Sequence, residues 1–136
     1  MIDSRIAPYA VFLMRLTNGV LLLLHAGLKV FVFTPAGSAA WFGSIGLPPA
    51  LAYIAITWEI ATGVALILGL WPRIVAVAAT FTILGGLVAV HWAAGFFFNN
   101  PNGGWEFPAY WIIMLLMITL LGDGAFALKP SRSPSK

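Results

Sequence analysis

Apolar stretches of fifteen to twenty-five residues, three of them long enough to cross a bilayer as a helix, recur along this chain. They cover residues 9–33, 50–70, 74–98 and 107–121, and Gly, Pro, Asn and Ser crowd the segments between them. A chain built this way has few options. In lipid every backbone N–H and C=O must be satisfied inside the protein, so each stretch is predicted to be an α-helix. The expected fold is therefore all-α: a four-transmembrane-helix bundle in a single domain, residues 1–128. Composition leaves no soluble alternative, since only 8% of the 136 residues are charged against about 25% in ordinary globular domains. Arg15 is followed by further apolar sequence with no small-x-small cleavage site, so the first stretch reads as an uncleaved span rather than a signal peptide.

Charge placement sets the expected orientation. With four spans, the N-terminus, the turn at Trp71-Pro72-Arg73 and the C-terminal tail share one side. That side carries Arg5, Arg73, Lys129, Arg132 and Lys136, whereas the opposite connectors carry only Glu106. Lysine and arginine favour the cytoplasmic side, so both termini are expected inside, in the inner membrane of a bacterium. The net charge of +3 thus reports topology. No basic run with interleaved aromatics points to nucleic acid. Residues 129–136 (KPSRSPSK) read as a basic, disordered tail. A short amphipathic piece is expected around Trp41 to Ile45, with Trp41 and Phe42 at the headgroup level.

Against this apolar background a few ionisable residues stand out. On the first span Arg15, Asn18, His25 and Lys29 fall within an arc of roughly 80°. Counting from the cytoplasmic ends, His25 lies ~24 Å up its helix and His91 ~26 Å up the third. Glu59 lies ~14 Å below the outer boundary, near the midplane. Lys29 and Glu106 belong to the outer rim, Arg15 and Asp123 to the inner half. Charges at such depths are costly and should face the bundle interior and find partners. Arg15 and Asp123 read as a structural ion pair, and Lys29 with Glu106 as a rim salt bridge. Glu59 is too deep to reach water easily, so it pairs with His25 or Lys29, is protonated, or meets a ligand. His25 and His91 either hydrogen-bond backbone or Glu59, or form a site with it. Gly63, Gly85 and Gly86 read as helix-packing positions. Trp92, Phe96, Phe97, Phe98, Trp105, Tyr110 and Trp111 read as an outer aromatic belt.

A quinone makes modest demands that these residues meet: a histidine to hydrogen-bond a carbonyl, a carboxylate to handle protons, and aromatic walls. A bis-histidine haem b, which the matched heights of His25 and His91 permit, ranks below quinone because it needs room for a porphyrin between the helices of a small bundle. The spacings that mark metal sites, HxxxH or HxxE, are absent, so no metal is expected. The chain has no cysteine, which removes thiol chemistry from it. The candidate proton carrier and hydrogen-bond partner in catalysis are Glu59 and His91. The candidate ligand-binding set is His25, Lys29, Glu59, His91, Glu106 and Trp92.

The order of motifs resembles the DoxX family. Arg15, Gly19 and His25-Ala-Gly-Leu-Lys29 are followed by Trp58-Glu59-Ile-Ala-Thr-Gly63 running to Gly69, then Arg73. Val90-His91-Trp92-Ala-Ala-Gly95-Phe96-Phe97, Gly104-Trp105-Glu106 and Leu121-Gly122-Asp123-Gly124 with Leu128 complete the pattern. The resemblance implies a four-helix membrane protein. It also implies kinship with proteins associated with a terminal quinol oxidase, with thiosulfate:quinone oxidoreductase, or with tethering soluble redox enzymes to the membrane. Lys129 stands where the family often has an acid. The expected function is a membrane subunit of a quinone-linked redox system that binds a quinone-like ligand in the outer half of the bundle. Its expected partners are the lipid bilayer and a soluble redox enzyme or second membrane subunit, with a homo-oligomer as a further form. The alternative is a non-catalytic scaffold that recruits soluble redox enzymes.

Overall fold

The computed structural model describes residues 3–131. Helix α1 (Ala7–Gly27) continues through a π-helical turn, Leu28–Val32, and is followed by the short α2 (Pro35–Ser44). Helix α3 (Ala50–Leu68) leads into α4 (Pro72–Gly86). That helix continues through a second π-helical turn, Leu87–His91, and a 3₁₀ turn, Trp92–Ala94. Helix α5 (Glu106–Leu121) completes the bundle. The described residues contain no β-strand, only an isolated bridge between Leu70 and Lys129.

Three helical runs are long and apolar enough to cross a membrane: Ala7–Val32, Ala50–Leu68 and Pro72–Ala94. Helix α5 is equally apolar but has 16 residues, or about 24 Å at 1.5 Å per residue. The third run stops short of the expected residue 98. Gly95 turns the chain at φ +85°, and the backbone then folds back on itself, Trp105 N–H donating to Gly95 O at 2.9 Å and Glu106 N–H to Phe96 O at 3.0 Å. The connector after α1 is more helical than expected, ten residues rather than a short piece around Trp41. Thr34, held at φ +62°, starts it by accepting the Gly37 N–H on its hydroxyl at 3.1 Å, and Pro35 supplies a first residue that needs no hydrogen-bond acceptor.

Helices α1 and α3 cross closely because both present glycine. A Cβ on Gly19 would lie 2.7 Å from Gly63 O and 2.6 Å from Ile67 Cγ1. Only bare backbone permits that approach, the usual device of membrane helices. Gly85 and Gly86 do not behave this way: nothing lies within 4 Å of a Cβ built on either. They were expected to narrow the bundle and instead leave it open. The core below them is Leu22, Leu66, Leu115 and Ile118, all fully buried, with Ala76 and Ala79 bringing α4 against it. Leu13, Phe31, Ile54, Ile74, Phe81, Val88, Ile113 and Leu120 are each more than half exposed. An apolar exterior of that extent suits acyl chains, not water.

One end of the bundle gathers the start of α1, the α3–α4 turn and the C-terminal segment. Ala125 N–H donates to Pro8 O at 2.8 Å, Leu128 N–H to Leu68 O at 3.2 Å and Trp71 N–H to Lys129 O at 2.7 Å. The stretch expected as a loose tail is therefore tied down at its beginning. Arg73 N–H also donates to Ser131 Oγ at 3.0 Å. Arg132 and Lys136, the rest of that expected tail, lie outside the described residues.

Candidate functional site

At the opposite end, a cavity of about 1460 Å³ is bordered by all five principal helices. His25, Lys29, Glu59, His91 and Glu106, drawn from four different helices, line it. The Gly19–Gly63 crossing fixes the register between α1 and α3. That register brings Lys29 Nζ to 2.9 Å from both carboxylate oxygens of Glu59. The Glu59 side chain is 5% exposed and that of Lys29 21%, so the pair holds its charges where neither could stand alone. Lys29 belongs to the π-helical turn, and its ammonium also lies 3.4 Å from His25 O. Ser38 of α2 donates to Lys29 O at 3.2 Å, hooking the short helix to this corner.

Of the partners expected for Glu59 the structure selects Lys29, and the expected rim bridge between Lys29 and Glu106 gives way to that pair. Glu106 instead accepts the Phe98 N–H on Oε1 at 2.7 Å and fastens the 95–105 loop to the start of α5. Lys29 turns inward because Glu59 lies directly across the close α1–α3 contact.

Both histidines reveal their tautomer. His25 Nδ1 lies 2.9 Å from Leu21 O, and His91 Nδ1 lies 2.8 Å from Gly103 O in the loop. A carbonyl can only accept, so in each ring Nδ1 carries the proton and donates. Nε2 of each ring has no protein partner among the described residues. In the neutral ring that nitrogen is a free acceptor. His91 ends the second π-helical turn, and such turns are frequent at functional sites. Among the described residues no three His, Asp or Glu side chains form a group able to hold a metal ion.

Trp111 was expected in the aromatic belt, but it is 3% exposed. Its indole packs edge-on against His25 with ring centroids 4.8 Å apart, and its Nε1–H has no partner. It lines the cavity. The signal lay in spacing, because Pro108, Trp111, Leu115 and Ile118 share the buried stripe of α5. Trp92, a candidate ligand contact, lies elsewhere. It stacks on Trp105 at 5.7 Å, is 63% exposed and does not border the cavity. The 3₁₀ turn carries it to the outside, leaving Trp111 as the tryptophan beside the histidines.

The inner polar group is built differently from the expected ion pair. Arg15 is fully buried and donates from Nη2 to Ala125 O at 2.7 Å. It forms no direct ion pair with Asp123 among the described residues. Arg15 Nε and Nη1, Asn18 Oδ1 and Asp123 Oδ1 are buried without partners. The guanidinium therefore clamps the C-terminal segment, and Gly69 is what makes room, since a Cβ there would collide with Arg15 Nη1. Between this group and the cavity along α1, α3 and α5 lie the fully buried Leu22, Leu66 and Leu115 and the buried Thr62, whose hydroxyl donates to Trp58 O at 2.6 Å.

Similarity to known proteins spans the segments that carry most of the cavity-lining residues. The DoxX family model matches residues 10–92, a span holding His25, Lys29, Glu59 and His91. A protein of Bacillus subtilis (strain 168) named "Putative oxidoreductase CatD" is 33% identical over 118 residues, covering 87% of this chain and 83% of that protein. No solved structure matches the chain. A family model that runs through all three long apolar helices, and a relative aligned over most of both sequences, place this chain in the DoxX family.

Proposed function

We propose that this chain is the membrane subunit of a quinone-linked redox system and that its cavity receives a quinone or a similarly flat, apolar ring. The observation that carries the reading is the pair of imidazoles whose Nδ1–H groups are committed to backbone carbonyls, leaving both Nε2 atoms free at one apolar cavity. A quinol presents two hydroxyl donors, which free imidazole nitrogens accept. The oxidised ring presents two carbonyl acceptors, which the buried Trp111 indole N–H and the Lys29 ammonium, held by Glu59 and His25 O, meet once the ligand shifts these side chains. Oxidation of a bound quinol releases two protons and two electrons. His25 and His91 take the protons from the hydroxyls, Glu59 relays them, and the electrons go to the partner, a soluble redox enzyme or second membrane subunit. The cavity, at about 1460 Å³, exceeds the roughly 300–1,000 Å³ of ordinary small-molecule pockets. The excess accommodates part of an isoprenoid tail.

In this reading α5 is the fourth span and both termini face the cytoplasm of a bacterium, as Arg5, Arg73 and Lys129 at one end favour. The test is quinone co-purification in mild detergent. Wild-type protein should carry extractable quinone, and Glu59→Gln and His91→Ala should lose it while remaining folded. Equal quinone content in all three proteins would overturn the proposal and leave a scaffold that recruits redox enzymes.

A further inference from the structure

A second groove of about 960 Å³ runs along the outside of α4 from the end where the C-terminal segment is tied down. At its head is Arg73. The Arg73 backbone is fixed by the hydrogen bond from its N–H to Ser131 Oγ at 3.0 Å. Its guanidinium makes no hydrogen bond or ion pair among the described residues. Because Ser131 Oγ accepts from Arg73, the Ser131 hydroxyl proton is left to donate elsewhere. Two donors, one cationic, thus converge at the mouth of the groove. Below them Ile74, Val77, Ala78 and Phe81 form one continuous stripe at helical spacing. The stripe extends about 12 Å toward the middle of the bundle. Trp58 supplies the side wall, held by its indole N–H donating to Ala78 O at 2.8 Å.

A charged head beside a long apolar wall matches one kind of molecule in a bilayer. We infer that this groove binds an anionic phospholipid, its phosphate on Arg73 and Ser131 and one acyl chain along Ile74, Val77 and Phe81. Charge complementarity selects the head: the phosphate receives a planar guanidinium and a hydroxyl donor in the same place, and a headgroup without a choline cation leaves its negative charge uncompensated except by Arg73. Basic pockets between membrane helices are general attractors of such headgroups. Trp58 and Phe81 also border the large cavity, so the acyl chain ends at that cavity's lateral rim.

The experiment is native mass spectrometry of the full chain in detergent, titrated with phosphatidylglycerol or phosphatidylcholine. Wild-type protein should retain one phosphatidylglycerol at concentrations where phosphatidylcholine is lost. Arg73→Ala should lower that retention about fivefold, as expected for one surface cation, and Ser131→Ala should lower it to a smaller degree. Lys129→Ala is the control, because Lys129 Nζ sits over the Trp71 ring at 4.2 Å and not in the groove. Its retention should match wild type. Equal retention in Arg73→Ala, no change in Ser131→Ala, or an equal fall in Lys129→Ala would each overturn the assignment. Displacement of the lipid by millimolar inorganic phosphate would also overturn it, showing a small-anion site instead.

Discussion

Alanine placed at each of four glycines should give very unequal results, although the chemical change is the same. At Gly19 the new methyl meets Gly63 O at 2.7 Å and Ile67 Cγ1 at 2.6 Å. Carbon atoms rest at about 3.5–4.0 Å, so α1 and α3 must part by roughly 0.7 Å or more. A gap of that size forfeits about a quarter to a half of the contact energy along the crossing. Overpacking of this kind costs about 1–3 kcal/mol. Gly63→Ala meets Gly19 O at 3.0 Å and the flexible end of Leu23 at 3.1 Å, and should cost under about 1 kcal/mol. Gly85→Ala and Gly86→Ala meet nothing within 4 Å and should stay within about 0.5 kcal/mol of wild type. The helix-propensity gain of alanine drops out, because membrane helices persist when the bundle comes apart. The assay is an unfolding titration in mixed dodecyl maltoside and sodium dodecyl sulfate micelles, followed by tryptophan fluorescence. If Gly85→Ala or Gly86→Ala proves as damaging as Gly19→Ala, the cavity wall has been misread as open and the reasoning fails.

Two further expectations concern the site itself. Lys29→Met should destabilise the bundle by about 3 kcal/mol, since it strands the Glu59 carboxylate in an apolar setting. The Lys29→Met/Glu59→Gln double variant should recover most of that loss, and additive losses in the same titration would show that the two side chains are not coupled. Trp111→Phe keeps the ring against His25 but removes an unpartnered donor. It should leave stability unchanged or raised by about 1 kcal/mol while lowering quinone retention, and undiminished retention would remove Trp111 from the binding set.

Much of the architecture was legible because lipid leaves the backbone so few choices. The long apolar helices, the turn at Pro72 and the gathering of both chain ends at one end of the bundle all follow from run length and turn chemistry. Lys29 shows where legibility stopped. Depth along separate helices placed it level with Glu106, and Glu59 was also open to it or to His25; the choice among these partners was decided by a sideways contact, the Gly19–Gly63 crossing, which no single helix encodes. Gly63 and Gly85 look alike in sequence, yet one touches a neighbouring helix and the other faces empty space. Trp92 and Trp111 were confused for a related reason. Both read as belt aromatics, with Trp92 also a candidate ligand contact; a π-helical turn rotates whatever follows it, which leaves Trp92 on the outside, whereas Trp111 falls on the buried stripe of α5. Arg15 reads in the sequence as the partner of Asp123, but its hydrogen bond goes to a backbone carbonyl, and sequence patterns carry no sign of those.

The fully buried leucines between Arg15 and His25 have a consequence for traffic through the molecule. The side chains of Leu22, Leu66 and Leu115 carry no polar atom. The Thr62 hydroxyl buried near them is committed to Trp58 O at 2.6 Å, so no chain of side-chain hydrogen bonds among the described residues links the two polar groups. Whatever enters the chamber must leave by the half of the bundle through which it came. Chemistry carried out there would be felt on a single face of the membrane, so the direction in which the protein is inserted would decide which compartment is acidified.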